Sequence, residues 1–222
     1  MSSPKACAVV MSIHNINNML TAVAVVIIAI ALSSCMRDND HDGTVRNDLP
    51  LEQLRDGDLL FRCGIGTQSQ VVTKLDTADG TYSHVGIAVF DHSKWRVVHA
   101  VPGESNDGVD RVKVDAVDTF FMTSRAVHGA AMRMPCSPAA ARTATHRALE
   151  LAQQGIPFDS HYNWSNHNEL YCTELVQLAY EKAGIDLAQG RSTSIALPFH
   201  HGNIVFPGDI ARNDSLQLVF KF

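Results

Sequence analysis

Two runs rich in β-branched residues, Ser83 to Phe90 (SHVGIAVF) and Trp95 to Val101 (WRVVHAV), are joined by the four polar residues Asp91 to Lys94. A connection this short cannot cross over a sheet, so the runs must pair as an antiparallel hairpin. With Asp91 to Lys94 as the loop, Phe90 faces Trp95. Pairing inward sets Gly86 opposite His99 and His84 opposite Val101. His84 and His99 then share one face as diagonal neighbours, roughly 7–8 Å apart between Cα atoms. The same face carries the small residues Gly86 and Ala88, which leave space above the sheet. Val85, Ile87 and Val89 form the opposite face, apolar and turned to a core.

Around this hairpin the periodicity predicts further elements. Asp58 to Arg62 (DLLFR) reads as a short strand after a turn at Gly57, and Thr67 to Leu75 as a short helix or ordered connection. The strand RVKV from Arg111, a short helix around Ala116 to Met122 and a strand from Ala126 to Met134 follow. Ser137 is an N-cap with Pro138 at the first helical position, opening an Ala-rich helix that ends at Gly155. Asn168 is placed to cap a second helix from Glu169 to Ala183, whose apolar residues Leu175, Val176, Leu178 and Ala179 form a stripe closed by Gly184. Leu216 to Phe222 is a last strand. Helices and strands are segregated rather than strictly alternating, which is an α+β arrangement.

The N-terminus reads differently. Met19 to Leu32 (MLTAVAVVIIAIAL) is apolar but short for a bilayer span, the length of a signal-peptide core. It runs into Leu32-Ser33-Ser34-Cys35, which resembles the lipobox of bacterial lipoproteins. Residues 1–34 are thus expected to be a signal, and Cys35 a lipidated N-terminus held on the membrane of the cell envelope. A plain secretory signal or an uncleaved anchor is the alternative. The polar residues Met36 to Pro50 read as a tether, and 51–222 as one domain. A net charge of -5 with scattered Lys and Arg excludes a nucleic-acid footprint.

Cys63, Cys136 and Cys172 remain in the domain, an odd number, so at least one thiol stays free. Either Cys63 pairs with Cys136 or both are reduced core residues. Cys172 lies among polar neighbours in the first turn of the second predicted helix, where unpaired N–H groups and the dipole lower a thiol pKa. Taken alone, a cysteine there is more often structural. A cysteine nucleophile needs an imidazole to take its proton and a third group to orient that imidazole, and the hairpin face offers His84 and His99. Glu104 is the runner-up for the third position, and a hydrogen-bonded structural role for His99 is the competing reading.

In order, GDLLF, SHVGIAVF, VVHA, IPFDSHYNW, ELYCTELVQLAY and FPGDIARNDSLQLV resemble the permuted papain-like amidases of the YaeF/YiiX type, relatives of the NlpC/P60 superfamily. The similarity covers most of Leu51 to Leu218. It implies a circularly permuted papain-like fold in which an antiparallel sheet packs against the helix bearing the cysteine. It further implies Cys172 as nucleophile, His84 as general base and a pair that rests partly as thiolate and imidazolium and forms an acyl-thioester without a cofactor. Where the family commonly has a segment of the form VIEA, this chain has Val97-Val98-His99-Ala100, which places His99 third. The substrates implied are small peptides, amino-acid amides or lipid acyl groups.

Two rival functions accompany this reading. One is an acyltransferase or thioesterase acting on lipids. The other is a noncatalytic envelope lipoprotein that binds metal or peptide, prompted by 11 histidines including His161, His167, His200 and His201. No HExxH and no CxxC pair supports it, and the spacing shows no compact ligand cluster.

Overall fold

In the computed structural model, residues 43–197 and 200–222 are described. The segment carrying the apolar run and Cys35 lies outside them, as do the side chains of residues 196–201. Six strands form one antiparallel sheet: β1 (Leu59–Cys63), β2 (His84–Asp91), β3 (Lys94–Ala100), β4 (Val112–Ala116), β5 (His128–Arg133) and β8 (Gln217–Lys221), in the order β4-β3-β2-β1-β5-β8. A separate hairpin joins β6 (Thr193–Leu197) to β7 (His200–Ile204). The helices are α1 (Thr67–Leu75), α2 (Val117–Phe120), α3 (Pro138–Gln153), α4 (Cys172–Glu181) and α5 (Pro207–Ala211).

The β2–β3 ladder has the expected register, with Phe90 paired to Trp95 and Ile87 to Val98. Its turn is tighter than the four-residue loop expected. Asp91 still pairs with Lys94, and only His92 (φ 47°) and Ser93 (φ 62°) turn the chain. Two consecutive left-handed residues are the conformation that matches strand twist in a two-residue hairpin. Shortening the loop by one residue at each end leaves the pairing unchanged, so His84 and His99 stay on one face.

Both faces of the sheet are covered. On the first, Leu59, Phe61, Val85, Ile87, Val89 and Val98 pack against Ala144, Ala148 and Leu151 of α3 and Leu175, Val176 and Ala179 of α4. On the second, Leu60, Ala88 and Val97 pack against Val117, Phe120 and Phe121. The small residues Gly86 and Ala88 therefore do not leave open space. Phe120 covers Ala88 on this face, and its ring packs against both histidines.

Ser137 caps α3 as its sequence predicts, its hydroxyl accepting from the Ala140 N–H at 3.1 Å. Asn168 does not cap α4. Leu170 donates its N–H to Pro157 and accepts from Asp159, which holds the chain extended up to Tyr171, so the helix starts three residues later than expected. Cys172 is consequently its first residue. Thr44 and Arg46, within the stretch read as a tether, bond to Thr123 and to the carbonyls of Phe121 and Ala126. Cys63, Cys136 and Cys172 are all free thiols.

Candidate active site

His84 is the first residue of β2, and its partner across the β1 ladder is Arg62. Gly86 brings β2 and β3 together beside it. A Cβ on that glycine would lie 3.0 Å from His99 Cβ and 2.5 Å from Val97 Cγ2, too close for any side chain. The approach lets His84 Nε2 reach His99 Nδ1 at 2.9 Å, and His99 Nε2 in turn reaches Asp115 Oδ2 on β4 at 3.1 Å. His99 is fully buried and His84 nearly so.

The order of these bonds fixes the protons. An ionised carboxylate only accepts, so His99 carries its hydrogen on Nε2 and presents the Nδ1 lone pair. His84 must then donate from Nε2, which leaves its Nδ1 unprotonated. Burial alone would raise the Asp115 carboxyl, but the His99 hydrogen bond and the charges of His99 and Lys113 hold it well below the usual carboxylate range.

Cys172 approaches from α4. The thiol is half-buried, with the N–H groups of Val85, Thr173 and Cys172 itself directed at the sulfur. Val85 follows His84 in β2, its side chain turned to the α4 face while the His84 and His99 rings pack against Phe120 on the other. Among the described residues, no hydrogen bond joins the thiol to an imidazole. The first-turn position does not lower the thiol pKa as the sequence suggests. Burial pushes it up to about 11 and outweighs those N–H groups and the nearby Arg62 charge. Burial likewise drives His84 well down, helped by the charges of Arg62, His99 and Lys113. Both shifts favour thiol and neutral imidazole at neutral pH over the partly ionised pair expected.

Glu104 is not the orienting group. Its carboxylate pairs with the Arg62 and Arg125 guanidinium groups. Tyr82 and Tyr171 are packing residues, their rings tilted against Phe61 at 5.2 Å and Tyr162 at 5.3 Å between centroids. His167 bonds to Glu174 at 2.6 Å, and burial raises that carboxyl to about 7. The compact ligand set that spacing did not show is present after folding. One ligand atom each from Asp159, His161 and Glu169 lie within 4.8 Å of one another. Asp115 was legible only as the polar partner of Lys113 on an alternating strand, and Arg62 only as the one charge ending an apolar run.

Comparison with known proteins gives a consistent answer. Residues 53–220 match the sequence model of the permuted papain-like amidase enzymes, YaeF/YiiX, C92 family. A solved structure described as metalloprotein yiiX from Escherichia coli O157:H7, DUF1105, is similar with a TM-score of 0.62 and 21% identity, covering 77% of this chain and 98% of that one. No curated protein matches.

Proposed function

The chain belongs to the permuted papain-like amidase family of the YaeF/YiiX type, and from that premise we propose that it is a cysteine hydrolase cleaving amide or ester bonds with Cys172 as nucleophile and His84 as base. The observation that carries this reading is the relay His84–His99–Asp115, which leaves His84 Nδ1 with a free lone pair to accept a proton.

Because thiol and imidazole rest neutral, proton transfer accompanies attack rather than preceding it. His84 Nδ1 takes the thiol proton as the sulfur bonds to the carbonyl carbon. The new positive charge on His84 is stabilised through Nε2–H to His99 and on to Asp115. Collapse releases the amine or alcohol with the proton from His84, and water then hydrolyses the thioester. As the first residue of α4, Cys172 has a backbone N–H outside the helical ladder, suited to hold the oxyanion. Envelope peptides, amino-acid amides and acylated lipids are the substrate classes in view. Location at the cell envelope through a lipid on Cys35 belongs to the same reading, supported by the apolar run before Leu32-Ser33-Ser34-Cys35.

Screening the protein against a mixed amide and ester library tests this. Hydrolysis abolished by Cys172→Ala and by His84→Ala, with the fold retained, is the expected result. Full activity in either variant overturns it. Transfer of the acyl group to an added amine, in place of free acid, assigns the acyltransferase reading instead.

A second reading is favoured by the Asp159, His161 and Glu169 group, since one imidazole and two carboxylates suit a borderline divalent ion such as zinc. The Escherichia coli structure named a metalloprotein points the same way. These three residues would hold the ion on the segment leading to Cys172, where it would supply Lewis acidity or a cross-link. Stoichiometric zinc in the purified protein, lost in His161→Ala, supports it. Absence of metal after zinc loading refutes it.

A further inference from the structure

Arg62 is 2% exposed, an unusual position for a guanidinium. It lies across the ladder from His84, donates to the Phe120 carbonyl at 2.8 Å and to the Glu104 carboxylate, and stands 4.6 Å over the Phe120 ring. That ring also packs on His84 at 5.5 Å and on His99 at 5.3 Å. One aromatic wall thus bounds the guanidinium and both imidazoles, and charges so enclosed interact strongly. A buried ion pair seldom stabilises a fold more than apolar residues of similar volume, so folding alone gives little reason for an arginine here.

The charged groups around the histidine pair are Arg62 on β1, Lys113 and Asp115 on β4, and Glu104 and Arg125 from the connecting loops. Glu104 bonds to Arg62 and Arg125, and Asp115 to His99, Lys113 and Arg125. Three fixed cations against two anions leave one positive charge over, and arginine cannot release its proton to relieve it. Arg62 is the cation in register with His84.

We propose that Arg62 is a positioning residue for proton transfer: its enclosed charge keeps the His84–His99 pair free of an extra proton, so that His84 is available as a base under mildly acidic as well as neutral conditions. This rests on the reading of His84 as the base. The charge acts in the same sense on Cys172, favouring loss of its proton. Removing it should therefore shift both titrations upward together, whereas loss of a merely structural side chain would lower activity without moving them.

The test is a histidine-ring NMR titration of His84, with the pH profile of hydrolysis as a second readout, in the wild-type chain and in Arg62→Gln, Arg62→Lys and Glu104→Gln. Expected is a rise of about one pH unit in the His84 midpoint for Arg62→Gln. Arg62→Lys should restore the wild-type value, and Glu104→Gln, which unmasks the cation, should move the midpoint down. Should Arg62→Gln not fold, the other two variants decide. An unmoved midpoint in Arg62→Gln, equal shifts in Arg62→Lys and Arg62→Gln, or an unmoved or raised midpoint in Glu104→Gln overturns the proposal. The NMR readout needs no turnover, so absence of hydrolysis in the wild type would count against the hydrolase reading and leave the charge effect separately measured.

Discussion

Replacing Asp115 by asparagine keeps the size of the side chain and removes the charge that gives the histidine relay its direction. Asp115 Oδ2 accepts from His99 at 3.1 Å, while Lys113 lies at 3.0 Å and Arg125 at 3.4 Å. Asparagine has one acceptor oxygen, which the two cations would claim, so its NH2 turns toward His99 Nε2. Both rings then reverse. His99 donates from Nδ1, His84 accepts at Nε2, and the His84 proton moves to Nδ1, where no lone pair remains for the thiol. Loss of one charge-assisted hydrogen bond costs about 2 kcal/mol, or roughly 30-fold in rate. Tautomer reversal adds to this. Where such a carboxylate touches the base directly the change costs about 10⁴ in kcat, and here it passes through a second ring. A fall in kcat/KM of about 10² to 10³ is expected. The assay is hydrolysis of a substrate from the library, with circular dichroism to confirm folding and ring ¹⁵N shifts to locate the His84 proton. A folded variant within about threefold of wild type would falsify the relay.

Other consequences can be measured independently. Glu174 titrates near 7 in the folded chain against 4.5 unfolded, so between those pH values the folded state holds more protons and stability falls as pH rises. Denaturant titrations at pH 5 and pH 8 should show wild type losing about 2 kcal/mol more than Glu174→Gln, and equal losses would remove the assignment. Gly86→Ala should force β2 from β3 through its contacts with Val97 and the Val98 carbonyl, lowering activity by at least about tenfold and stability by about 1–3 kcal/mol. Unchanged activity would show that the strand spacing does not hold the histidines. Iodoacetamide should label Cys172 slowly at pH 7 in the folded chain, at a rate that climbs toward a midpoint near pH 11. A plateau already reached below pH 8 would contradict a thiol held protonated by its surroundings.

The hairpin was readable because period-two alternation and a short polar connection leave one pairing that buries Val85, Ile87 and Val89 together. The same alternation put His84 and His99 side by side. What lies over them was not readable, since Phe120 comes from a single helical turn whose docking depends on the whole sheet. The helix start at Cys172 was misplaced because Asn168 has the chemistry of a cap, while a tertiary pairing with Pro157 and Asp159 holds the chain extended past it. The β6–β7 hairpin and α5 went unread, their runs being short and without clear alternation. The protonation of the pair escaped for a similar reason. A helix start favours thiolate, and only the packing of α4 against β2 shows that burial outweighs it.

The enclosure of Cys172 also bears on how the protein ages. Only the deprotonated sulfur attacks peroxides and disulfides, and a thiol titrating near 11 is in that form in only about one molecule in 10⁴ at pH 7. The sulfur would gain its reactivity for the moment that a carbonyl lies against it and His84 draws off the proton. Between turnovers it would stand as an inert, reduced side chain, sparing the protein the oxidative wear that an always-ionised cysteine invites.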